Sequence, residues 1–143
     1  MDEEKFRMLV QRILEQDSRY DIHAYRFISE AVSYTIAKAE KESLPPGKRH
    51  ISPGELVRGS LEFALGQFGL LAGTVMEYWN VHCGLDIGNI VFNMIHVGIL
   101  TASPEDTLEA FDCFYEIPAF LDSMQKDSMR NDEPPLHPPH KIF

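Results

Sequence analysis

VHCGLDIGNIVFNMIHVG, residues 81–98, sets two histidines and a cysteine around an apolar segment, and its reading decides whether this region is a site or part of the fold. Ile87, Ile90, Val91, Met94 and Ile95 recur at i, i+3, i+4, i+7 and i+8, which places them on one face of an α-helix. Asp86 is a residue type that caps a helix start, and Gly98 stands where a left-handed residue would end one. The stretch therefore predicts a core helix over 86–97. His82 and Cys83 fall in the turn before it. His96 lies near the far end, about fourteen residues or ~21 Å from His82 at 1.5 Å per residue, so one metal ion cannot take both histidines.

Upstream, Phe6, Leu9, Val10, Ile13 and Leu14 keep helical spacing behind Asp2, Glu3 and Glu4, whose charges suit a helix N-terminus. This predicts a helix over 2–16. After DSRYD, Asp21 caps a second helix reaching about Glu42, with an apolar stripe of Ile22, Tyr25, Ile28, Val32, Thr35, Ile36 and Ala39. SLPPGKRH (43–50) reads as a loop. Ser52 as N-cap, Pro53 at N1 and Glu55 at N3 form a capping-box signal for a third helix. A break at GQFG precedes a fourth helix with the stripe Leu71, Ala72, Val75, Met76 and Trp79. Gly69 and Gly73, four apart, predict the close approach of another backbone.

Downstream, ILTAS and AFDCFY flank the acidic, turn-rich PEDTLE, which predicts a short antiparallel hairpin, and IPAFLDSM adds a final short helix. The expected fold is mainly α, of the α+β class: about five helices with a short C-terminal β-hairpin, winged-helix-like in the order of its C-terminal half. Residues 1–126 form the single domain. Residues 127–143, rich in proline and without periodicity, read as an extended tail.

A chain of 143 residues that is 44% hydrophobic fills one core and would struggle to fill two. It has no apolar run of about 18 residues to cross a bilayer, and its acidic first residues do not resemble a secretory signal, so the expected location is the cytoplasm. Cys83 and Cys113 form no CxxC pair and are read as free thiols. The net charge of −9 is unevenly spread: acids and bases balance nine to nine over 1–50, but stand at nine to three over 99–143. Such a field repels phosphate backbones and anionic membranes.

YDIHAYRFISEAV (20–32), HISPGELVRGSLEFALGQFGLLAGTVMEYWNV (50–81), DIGNIVFNMIHVGIL (86–100) and SPEDTLEAFDCFYEIPAF (103–120) together resemble a family of small, uncharacterised bacterial proteins. The resemblance spans roughly residues 20–121. It implies no activity, cofactor or catalytic residue, because that family has none assigned.

The functional classes narrow accordingly. In a winged-helix order the recognition helix would be 86–97, where Asn89 and Asn93 have the chemistry to read adenine. No Lys or Arg on that helix meets phosphate, and the supposed wing carries Glu105, Asp106, Glu109 and Asp112, so DNA is an unfavoured partner. For metal the candidates are His137 and His140 of HPPH, which polyproline geometry puts on one side with Cα atoms ~9 Å apart. Two histidines leave a zinc site short of ligands. No GxSxG, HExxH, P-loop or GxGxxG pattern occurs, and nothing in sequence joins Cys83 or Cys113 to His23 or His50 as a dyad. No cofactor is identified.

The favoured reading is a non-enzymatic protein-interaction module whose partner is another protein or a second copy, as in a homodimer. Its candidate interface residues are Tyr78, Phe92, Pro138, Pro139 and Phe143. The alternative is a metal- or small-ligand-binding protein, or an enzyme whose site is assembled by the fold.

Overall fold

Local capping sets most of the helix boundaries. The computed structural model describes residues 1–39, 44–45, 50–101, 107–112 and 116–131. Helix α1 (Glu3–Gln16) starts at Asp2, whose carboxylate accepts from the Lys5 N–H at 2.7 Å, and α2 (Ile22–Lys38) starts at Asp21, which accepts from the His23 N–H at 2.8 Å. Helix α3 (Pro53–Phe68) has the full capping box: Ser52 Oγ accepts from the Glu55 N–H, and Glu55 accepts from the Ser52 N–H. These reciprocal bonds satisfy two of the N–H groups that a helix start leaves open.

A 3-10 turn (Gly69–Leu71) leads into α4 (Ala72–Tyr78), followed by α5 (Gly84–His96), a second 3-10 turn (Leu108–Phe111) and α6 (Ile117–Asn131). Helix α5 begins two residues before the expected start, with Cys83 at its N-cap and Asp86 at N3. Both α4 and α5 end in left-handed residues, Asn80 (φ 64°) and Gly98 (φ 85°). After α4 the Asn80 N–H donates to Glu77 O and the Val81 N–H to Met76 O; after α5 the Gly98 N–H donates to Ile95 O and the Ile99 N–H to Met94 O. Each pair closes the last turn as a Schellman motif, with asparagine taking the glycine position in α4.

The expected hairpin is not formed: the described residues contain no strand, and Leu108–Phe111 make a 3-10 turn where its second strand was to begin. Packing explains the difference. Phe111 is buried edge-on against Phe92, with ring centroids 6.2 Å apart, and lies over Gly88, where an added Cβ would come within 2.8 Å of the Phe111 Cβ. A single tight turn seats that ring in the notch of α5, while Leu108 and Ala110 point outward. Without the hairpin the winged-helix order is lost as well.

Helices α2 and α3 pack antiparallel, since Thr35 meets Gly59 at one end and Phe27 meets Phe68 at the other. The core they share with α1, α5 and α6 contains Val10, Tyr25, Ile28, Ile87, Ile90, Met94 and Leu121, all fully buried. Gly73 lets α6 approach α4, where an added Cβ would lie 2.6 Å from the Pro118 carbonyl oxygen. Gly69, its neighbour in the expected pair, serves otherwise: at φ 53° it ends α3, with no atom near its missing Cβ. Leu71, expected on the buried stripe of α4, is turned outward because the 3-10 turn shifts its phase relative to Ala72 and Met76.

Gly59→Ala tests the α2–α3 contact. Alanine gains about 1 kcal/mol of helix propensity, but its Cβ would stand 3.0 Å from Thr35 Cβ, and the Thr35 hydroxyl is fixed by a 2.7 Å bond to Ala31 O. Overpacking of this kind costs about 1–3 kcal/mol and outweighs the gain. The expected result is a lower urea midpoint; an unchanged or higher midpoint would show that the helices have room to separate.

Candidate functional site

The polar residues of the opening stretch converge on the turn between α4 and α5. Asp86 accepts from the Tyr20 hydroxyl at 2.5 Å through one oxygen and from the His82 N–H at 2.8 Å through the other, with Cys83 Sγ 3.7 Å away. Asn89, one turn along α5, donates to the Tyr20 oxygen at 3.1 Å. Asn93, a further turn on, donates to Tyr25 at 3.0 Å and to Asp17 at 2.9 Å. The spacing of Asp86, Asn89 and Asn93 sets all three on one helix face, opposite the loop between α1 and α2.

The turn itself extends the network. Asn80 donates to the Arg19 carbonyl at 3.2 Å, and its own carbonyl oxygen lies 2.9 Å from His82 Nε2. The His82 carbonyl accepts the Ile117 N–H at 2.7 Å, which fixes the start of α6. Five residues, 82, 86, 89, 93 and 80, thus join three separate parts of the chain.

The electrostatics follow from these contacts. The Arg19 guanidinium grips Asp17 through two bonds of 2.9 and 2.8 Å and, with Asn93, holds that carboxyl well below the usual carboxylate range against a smaller opposing effect of burial. Burial first, and the bond to Asp86 second, push the Tyr20 hydroxyl above its ordinary value; burial does the same for Tyr25. Both phenols therefore stay protonated at neutral pH, Tyr20 donating to Asp86 and Tyr25 accepting from Asn93. The Asp86 oxygens are already engaged by donors of this chain, so the arrangement is chemically a helix lock.

The sequence-derived candidates separate in space. Cys83 is directed to Asp86, while the ring of His82 meets Asn80, and His23 is exposed on α2. Asn89 and Asn93 are used inward, on Tyr20, Tyr25 and Asp17. Phe92 is half-buried against Phe111 and lines a recess, whereas Tyr78 is among the most exposed large side chains. His137, His140, Pro138, Pro139, Phe143 and Cys113 lie outside the described residues. Among the described residues no cluster of three or more His, Cys, Asp or Glu is placed to hold a metal ion, and no helix is long and apolar enough to cross a membrane.

Two surface features go beyond the periodic pattern, one of them around Tyr78, already an interface candidate in the sequence. Leu70 (57% exposed), Leu71 (62%) and Tyr78 (82%) form an outward apolar face along the 3-10 turn and α4. Leu71, Thr74 and Tyr78 follow at i, i+3 and i+7, and Ala72, Gly73 and Met76 are buried on the opposite side. The second feature is a recess of about 420 Å³ between α2, the start of α3 and the end of α5.

The chain matches no family model, no curated protein and no solved structure. That is consistent with a resemblance that brings no assigned activity, and it gives no support to a bacterial source.

The Asp17 lock predicts a pH dependence. Its carboxyl is depressed in the folded state and near about 4 in the unfolded chain, so its contribution is full above that value and is lost as pH falls toward the folded value. Urea midpoints should decline below about pH 4, and Asp17→Asn should flatten this part of the profile. A variant profile parallel to the wild type would show that Asp17 is not the group responsible.

Proposed function

We propose that the protein is a non-enzymatic interaction module and that its docking face is Leu70, Leu71 and Tyr78. The observation that carries this reading is the exposure of three large apolar side chains together on one short segment. Scattered apolar residues are normal on a surface, but three large ones exposed on one nine-residue segment present apolar area that gains when covered. Tyrosine is also among the residue types that dominate binding energy at interfaces.

The shape of the face favours a second copy of this chain. Beside the projecting Tyr78 ring lies a shallow groove bordered by Gly73, Thr74, Glu77 and Asp122. A projection and a groove on the same face suit a two-fold contact, in which each copy offers its ring to the other's groove. Glu77 and Asp122 are both exposed there, so two copies bring like charges together, and salt should strengthen the contact by screening them.

Sedimentation analysis of the full chain over a range of concentrations tests this. The expected result is a reversible dimer that tightens with salt, weakens at least tenfold in Tyr78→Ala and is lost in Leu71→Asp, with helical content unchanged because both side chains are exposed. A monomer at every concentration, or a dimer indifferent to both substitutions, would contradict it. Association that weakens with salt would point instead to an oppositely charged contact elsewhere.

A further inference from the structure

We propose that the recess between α2, the start of α3 and the end of α5 binds a small amphiphile: an apolar chain or ring system carrying one hydroxyl or carboxylate head. The site is separate from the α4 face and does not depend on the reading given to that face.

Its size, lining and polarity gradient carry the inference. A volume of about 420 Å³ falls within the range of about 300–1,000 Å³ in which small-molecule sites occur. Filled at the density of a protein interior, about 0.74, it has room for about 310 Å³ of ligand, more than a medium-length acyl chain or a two-ring aromatic compound occupies. The deeper wall is apolar: Leu56, Val91 and Phe111 are buried, and Val32, Ile36 and Ile95 are half-buried around them. The polar lining residues Ser33, His50, Ser52 and Thr101 are all exposed and therefore form the rim.

The rim also has a charge character. No Asp, Glu, Lys or Arg is among the described lining residues, although the chain carries a net charge of −9. Among the described lining residues a carboxylate or hydroxyl head meets no acid, and the Ser33 and Thr101 hydroxyls stand in the rim to receive it. Among the same residues a fixed cation would find no carboxylate partner. The geometry of Phe111 supports a preformed wall, because its ring is wedged over Gly88 and edge-on to Phe92. The apolar interior would thus supply affinity and the rim would orient the head.

Decan-1-ol, used below its aqueous solubility, and decanoate, used below its micelle concentration, share a chain and differ in the head. Each is titrated into the isotopically labelled full-length protein and followed by backbone amide shifts. The expected result is saturable binding of at least one probe, with shifts centred on residues 32–36, 51–56 and 91–101. The head group preferred is then read from the ratio of the two affinities. Ser33→Trp and Thr101→Trp place an indole at the mouth, and since both positions are exposed, neither burdens the core. Each should weaken binding at least tenfold with an unchanged circular dichroism spectrum. Absence of saturable shifts with both probes, as when the recess is filled by another part of the chain, overturns the proposal. So does equal affinity in both tryptophan variants, and so do shifts confined to Leu70, Leu71 and Tyr78.

Discussion

The Asp86 carboxylate is the contact on which the arrangement of the helices depends. It stands at the third position of α5, where the helix dipole favours a negative charge, and it receives donors from two other parts of the chain. Tyr20 reaches it from the loop between α1 and α2, and the His82 backbone reaches it from the end of α4. The same His82 residue gives its carbonyl to Ile117, so the start of α6 is fixed by the turn that Asp86 organises. A buried hydroxyl deprived of its acceptor costs about 1–3 kcal/mol, and a carboxylate deprived of its donors more. Tyr20 is buried, which makes this bond sensitive to any change in the register of α5.

Around that lock, three glycines let helices meet closely: Gly59 against Thr35, Gly73 against Pro118 and Gly88 against Phe111. These contacts explain why a chain with short helices closes a core. They also shape its two open surfaces. The α4–α6 contact at Gly73 borders the groove beside Tyr78, and Gly88 seats the ring that walls the recess. The recess lies at the start of α3 and the Leu70–Tyr78 face follows its end, so a helix of 16 residues, ~24 Å long, separates them. The two surfaces are suited to different occupants, one a protein face and the other a small apolar body.

Much of the fold was legible because its signals are local. Asp21 and the Ser52–Glu55 box cap the helices they were expected to cap, Asp2 caps the helix whose first turn it was expected to join, and Gly98 adopts the left-handed conformation expected of it. What escaped depends on contacts distant in sequence. Asp86 was read as the cap of its own helix, yet one of its main partners is Tyr20, 66 residues away. The turn-rich PEDTLE between ILTAS and AFDCFY suggested a hairpin, but the burial of Phe111 against Gly88 is a tertiary preference that overrides local pattern. Leu71 fitted an apolar stripe, and only the 3-10 turn ahead of α4 reveals that it faces outward. Tyr78 was legible as an interface candidate. Phe92 carries the same aromatic signal but belongs to the wall of the recess.

A double-mutant cycle on Tyr20→Phe and Asp86→Ala, measured by urea unfolding, tests the central role of this bond most directly. The account predicts that each substitution destabilises the protein and that the double variant loses clearly less than the sum, with a coupling of about 1–3 kcal/mol. Additive losses would contradict it and would mean that the Tyr20–Asp86 bond does not hold the helices in register.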